Sequence, residues 1–253
     1  MQFQGVVPGA GPQWAIRLFG GWQLMRDDAV PDVASRERRL LSVLALQDGR
    51  PRSYLAGLLW PESDETRALG NLRAALWRVQ HRCQGLIADE HALVRLDRSV
   101  RVDVLDLIDL ADQIALGELP DRKAAMVVLT SGDLLPGWYD DWVIDERERL
   151  HQVRLRALES LTDLLIARGD ADGALHAAMT AASIEPLRES AHRALIRVHL
   201  MFGNHVDAVR VYRSFHRRLS TDLGISPSSQ IVDLIRPLIE VRTATPQRTP
   251  SPV

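Results

Sequence analysis

Residues 63–82, SDETRALGNLRAALWRVQHR, hold the side chains best suited to chemistry with another molecule. At 100° per residue the stretch sorts into two faces. Leu69, Leu72, Leu76 and Val79 share one side with Ala68 and Ala75. Arg67, Gly70, Asn71, Ala74, Trp77, Arg78 and His81 share the other, which carries no acid. Arg and Asn can make bidentate hydrogen bonds to guanine and adenine edges. Gly70 and Ala74 leave the face flat enough for a close approach. These residues predict a recognition helix, with Arg67, Asn71, Arg78 and either His81 or Trp77 on base edges of double-stranded DNA. Arg73 and Arg82 flank the face and are expected on phosphates. The competing reading is an ordinary solvated face opposite an apolar stripe. Trp77 stays open between packing on deoxyribose or a thymine methyl and folding down as a core rim.

The elements around this helix decide between those readings. Residues 14–19 and 21–25 alternate like short strands around Gly20-Gly21. A helix is predicted over 35–47, ended by Gly49 and Pro51, and a shorter one over 53–60, ended by Pro61. Ser63 is the expected N-cap of the next helix, Asp64 and Glu65 complement its dipole, and Gly85 can close it. Residues 92–96 and 100–102 read as strands of a hairpin with Asp97-Arg98-Ser99 as its turn. Arg98, at that tip, is a candidate backbone or minor-groove contact. Strands, three helices and a hairpin in this order describe a winged helix-turn-helix. The cations Arg36, Arg38 and Arg39 at the start of the first helix oppose its dipole. They hint at a nearby phosphate or partner, although Glu37 softens that inference.

Beyond residue 103 the pattern is helical, with candidates at 106–116, 122–129, 141–168, 172–184, 187–202, 205–219 and 228–241. Gly169 and Gly203 stand 34 residues apart, as do Ala174 and Ala208. That spacing of paired helices is the tetratricopeptide signature. Two units are too few for an independent stack, so flanking helices must complete the core. The predicted fold is mainly α: an α+β winged helix-turn-helix over 14–103, then an all-α tetratricopeptide-like domain over 104–241. A loose arm is expected at 1–13 and a disordered tail at 242–253.

The net charge of −2 conceals a split: 14 Arg face 11 acids over residues 1–102, whereas 17 basic residues face 22 acids over the remainder. Lys123 is the sole lysine. Arginine suits phosphate and guanine contacts, although a GC-rich genome also favours it. No apolar run approaches a membrane span. With no evident secretory signal and a single Cys83, a cytoplasmic protein without disulfides is expected. HExxH, CxxC, GxSxG and GxxxxGK[ST] are all absent. No enzyme, metal site, cofactor or nucleotide switch is therefore expected.

Several segments together resemble the Streptomyces antibiotic regulatory protein family. WAIRLFGG from Trp14 is similar to the family's opening strand, and RERRLLSVLA at 36–45 to its first helix. LWP at 59–61 and NLR at 71–73 resemble its second and third helices. RVDV at 101–104 resembles the junction into the bacterial transcriptional activation domain, and GWYDDW at 137–142, with Glu146, Arg147 and Leu150, that domain's best-known segment. PLRE at 186–189 and LGISP at 223–227 match its repeats. The likeness covers roughly 14–241. It departs in having Leu105 to Ile108 where an aromatic often follows the junction.

The resemblance implies an OmpR-type winged helix that reads direct repeats near a −35 element and activates secondary-metabolite genes. It also implies a homodimer on DNA and contact with RNA polymerase holoenzyme, including its sigma factor. Glu62 and Asp64, in the loop before the recognition helix, are the candidate polymerase contacts. Two other classes remain open: a repeat-type protein adaptor without DNA binding, and a ligand sensor using the helical domain. Trp138, Tyr139 and Trp142 read as core packing, with a ligand or dimer contact as the alternative.

Overall fold

A computed structural model describes residues 14–27, 29–90 and 93–240. The expected arm at 1–13 and tail at 242–253 lie outside them. The chain divides into two compact units that interleave along the sequence. Within the described residues the first comprises 14–108 with 131–149, and the second 109–130 with 150–240. Spatial units thus cut across the linear boundary expected at 103.

In the first unit, β1 (Trp14–Arg17) and β2 (Gln23–Arg26) form an antiparallel pair, Trp14 opposite Arg26 and Arg17 opposite Gln23. Gly20 and Gly21 have φ of +73° and +138°, so the turn needs residues without a Cβ. Then follow α1 (Ser35–Leu46), β3 (Arg50–Pro51), α2 (Arg52–Leu59) and α3 (Glu65–Arg82). Leu40, Leu44, Leu55, Leu59, Leu72 and Leu76 are buried, giving the three helices a shared aliphatic interior. The wing is β4 (Ile87–Glu90) against β5 (Leu93–Leu96), with β3 on the other side of β5.

This corrects the predicted hairpin. Residues 101 and 102 are a strand, β6 (Arg101–Val102), but it lies parallel to β1 in the other sheet. The Asp97 carboxylate accepts hydrogen bonds from Ser99 N (2.9 Å) and Ser99 Oγ (2.6 Å), closing a turn that redirects the chain. Burial of Val100 and Val102 fixes the new direction. Arg98 therefore sits in a connection between sheets. Positions 91 and 92, between β4 and β5, lie outside the described residues.

β6 runs directly into α4 (Asp103–Ala115), whose first residue locks the sheet. The Asp103 carboxylate accepts from Leu18 N (2.9 Å) and Phe19 N (3.0 Å). Burial pushes its carboxyl above the usual carboxylate range, against the pull of these amide donors. Residues 133–135 return to the same place: Gly20 N donates to Asp133 O (2.9 Å) and Leu135 N to Leu18 O (2.9 Å). The Arg147 side chain donates to the carbonyls of Leu134, Leu135 and Trp138 at 3.0–3.1 Å. Arg39 on α1 reaches Asp140. The GWYDDW segment thus packs with the first unit, Trp142 buried and edge-on to Trp138 while Tyr139 is exposed.

The second unit contains α5 (Arg122–Leu129), most of α6 (Asp141–Ala167), α7 (Ala171–Ile184), α8 (Glu189–Met201), α9 (His205–Leu223) and α10 (Ser229–Glu240). The 34-residue period is real. Gly169 and Gly203 turn the chain at φ of +72° and +75°, and Ala174 and Ala208 are both fully buried where paired helices meet. Asp170 caps α7 by accepting from Gly173 N (2.9 Å) and also binds Arg122 (3.0 Å). Arg188 donates to Glu159 (2.7 Å) and Gln152 (2.8 Å), while Glu189 accepts from Ser228 N (2.9 Å). Arg188 and Glu189 of the PLRE segment thus clamp neighbouring helices together. His192 stacks on Phe215 with centroids 4.1 Å apart; burial lowers its pKa. α10 completes the stack, Ile231 and Ile235 meeting Phe215, Leu219 and Ile196. No helix among the described residues is long and apolar enough to cross a membrane.

Candidate nucleic-acid interface

α3 forms because an apolar stripe and matched ends agree. Ala68, Leu72, Ala75, Leu76 and Val79 are buried. Its N-cap is Asp64, whose carboxylate accepts from Arg67 N (2.9 Å), so Ser63 lies one residue outside the cap. Glu65 occupies the positive end of the dipole and His81 and Arg82 the negative end, the favourable arrangement. Beyond the last turn, Trp14 Nε1 donates to Gln84 O (2.9 Å), tying the end of α3 to β1. Cys83 is buried at the C-cap, where desolvation raises the thiol pKa; it acts as apolar filler.

The outward face divides into free and committed residues. Arg67, Arg73, Ala74, Trp77, His81 and Arg82 are exposed, and Gly70 and Asn71 are half-buried. The Arg67 side chain is 83% exposed and makes one surface ion pair, with Asp64 at 3.4 Å, of the kind that contributes little. Trp77 is 63% exposed, which settles the question of a core rim. Its ring lies parallel to His81 one turn on, centroids 5.1 Å apart, making a two-ring platform. Glu62 and Asp64 are exposed in the loop ahead of the helix.

Arg78 does not belong to the free set. Its Nε donates to Glu37 on α1, a carboxylate whose side chain is 5% exposed. A desolvated acid requires a partner, and Arg78 supplies it from the edge of α3. Two of the three cations at the start of α1 are likewise internally engaged, while Arg36 is exposed. Arg38 donates to Val33 O (2.6 Å) and lies over the Trp22 ring, while Arg39 donates to Leu59 O (3.1 Å) as well as binding Asp140. For Arg38 and Arg39 the partner they hinted at is the protein itself.

Two features escaped the sequence reading. Thr66 is exposed beside Arg67, on the same outward arc. Just ahead of α2, the exposed Arg50 stacks over the Tyr54 ring at 5.5 Å, and the N-terminus of that helix has no side-chain cap. The Arg50-Pro51-Arg52 run was the available signal.

Gly70 yields a test. A Cβ built on it meets nothing within 4 Å, so the fold itself does not require glycine there. Gly70→Ala should stabilise α3 by about 1 kcal/mol, the intrinsic propensity difference. If the face docks closely on a duplex, the same change weakens binding. A melt and a binding titration on one preparation measure both; higher stability with unchanged affinity would move the docking surface off Gly70.

Among the described residues no group of three His, Cys, Asp or Glu side chains could hold a metal. Residues 124–238 match the bacterial transcriptional activator domain. The regulatory protein AfsR of Streptomyces griseus is 26% identical over 254 residues, spanning 94% of this chain and 25% of that protein. AfsR of Streptomyces coelicolor is 24% identical over 222 residues, spanning 83% and 22%. The chain thus spans about a quarter of the length of these curated relatives. Among solved structures, Mycobacterium tuberculosis EmbR in complex with a low-affinity phosphopeptide shares the fold. Its TM-score is 0.67 at 20% identity, covering 91% of this chain and 66% of that one.

Proposed function

We propose that the chain is a transcriptional regulator of the Streptomyces antibiotic regulatory protein family, a reading supported by its match to the bacterial transcriptional activator domain and its likeness to AfsR, and that it activates secondary-metabolite genes by binding DNA through α3. One observation carries the reading: the outward face of α3 presents Arg67, Gly70, Ala74, Trp77 and His81, none of which the core needs. In this account α3 enters the major groove, with Arg67, Asn71 and His81 on base edges and Trp77 against sugar or a thymine methyl. Arg73 and Arg82 contact flanking phosphates and set the register. Two protomers occupy tandem direct repeats about one helical turn apart. The loop carrying Glu62 and Asp64 then faces RNA polymerase, sigma factor included, so activation is recruitment on the nucleoid.

Genome-wide immunoprecipitation of the tagged protein from its host, with sequencing of the bound DNA, tests this. The reading expects sharp peaks over a tandem repeat beside −35 elements. A folded, expressed protein with no enriched sites would instead make the chain an adaptor that binds protein.

A further inference from the structure

The second unit carries a surface that DNA binding does not use. α9 presents two faces that carry apolar side chains, one into the core and one beside a row of arginines. One side turns Ala208, Phe215 and Leu219 into the core. The other, with the end of α10, forms a groove of about 800 Å³. Val206, Val209, Leu238 and Ile239 make its aliphatic floor, and Arg210, Arg213 and Arg217 stand along its length. Val206 is 72% exposed and Ile239 40%, so the groove lies open along its length. Among the described residues no carboxylate lines it. Arg210 binds Asp207 at 2.6 Å.

We propose that this groove receives an acidic amphipathic helix of a partner protein. The three arginines fall on α9 at i, i+3 and i+7, one stripe of a helix. That stripe lies beside an aliphatic one, matching a helix with an apolar ridge and a carboxylate flank. From Val206 to Arg217 the groove accommodates roughly three helical turns. Charge removes two other occupants. A second copy would bring the same arginines against these, and residues 241–253 carry Arg242 and Arg248 with no acidic side chain. Nucleic acid is disfavoured by the floor, which is aliphatic and offers no Phe, Tyr or Trp for a base to stack on, the one ring at the groove being His205 at its end.

The probe is a fluorescein-labelled helical peptide with leucines at i, i+3, i+4 and i+7 and glutamates flanking them, titrated onto the full chain. The controls are a scrambled peptide of identical composition, a version with lysine for glutamate, and a labelled DNA duplex of random sequence. The patterned acidic peptide should bind in a salt-dependent way, and both peptide controls should bind at least about tenfold more weakly. Arg213→Glu with Arg217→Glu should remove binding, as should Val206→Asp alone. All three positions are exposed, and a thermal melt checks that each variant folds. Equal binding of the scrambled peptide, or no loss in the variants, would overturn the proposal. Duplex binding that disappears with the two arginines would overturn it by assigning this face to nucleic acid.

Discussion

Arg78→Ala is expected to destabilise the first unit by about 3 kcal/mol, measured as a lower urea midpoint for the full chain. Glu37 lies in the interior of that unit with its side chain 5% exposed, and Arg78 is the ion-pair partner that reaches it. Removing one member of a buried pair leaves an uncompensated charge and costs about 3–5 kcal/mol. The low end applies because the Arg78 side chain is itself 37% exposed and partly solvated. The loss comes mainly from the stranded charge, so Glu37→Gln in the same chain should restore most of the stability. Unchanged stability in Arg78→Ala, with a selective loss of DNA affinity, would return Arg78 to the base-reading face.

Arg67→Ala and Asn71→Ala should behave in the opposite way. Each should weaken binding to a cognate site by about 2 kcal/mol, roughly thirtyfold, and relax preference at one base position. Neither should change the stability of the chain by more than about 0.5 kcal/mol, measured by urea unfolding. Arg67 lies outside the core, and its one ion pair is a surface pair. Arg73→Ala serves as the phosphate control: it should weaken binding to all sequences alike and flatten the salt dependence. The three α3 variants and Arg78→Ala therefore separate base reading, phosphate contact and scaffold support within one helix.

What could be read from sequence follows the range of the forces involved. α5 falls where its periodicity predicts, and α6 to α10 come within a few residues, because amphipathic helices are specified by neighbours three and four positions away. Gly169 and Gly203 are legible for the same reason: a left-handed turn is a local demand. The failures are non-local. β6 resembles the second half of a hairpin until its partner proves to be β1, some 85 residues earlier in the chain. Ile87-Ala88-Asp89-Glu90 has too little apolar alternation to announce itself as the other wing strand. Arg78 shares the arc of Arg67 on a helical wheel, and nothing within α3 reveals that Glu37, 41 residues away, claims it. Arg39 is separated from Asp140 by 101 residues, so packing of 131–149 into the first unit was likewise invisible.

The division within the site has the same origin. A residue is outward because the apolar stripe of α3 is inward, and that much is periodic. Whether an outward residue is free depends on what another helix offers it. Arg67, Trp77 and His81 face solvent, whereas Arg78 meets a carboxylate that α1 buries in forming its own core face.

The most direct test of the central claim is selection of the full chain, wild type and Asn71→Ala, against randomised DNA duplexes, with sequencing of the bound pool. The account predicts two direct repeats about one helical turn apart for the wild type, and the same repeats with one position relaxed in each for the variant. Enrichment of no motif, or an identical motif from both proteins, would contradict sequence reading by this face of α3.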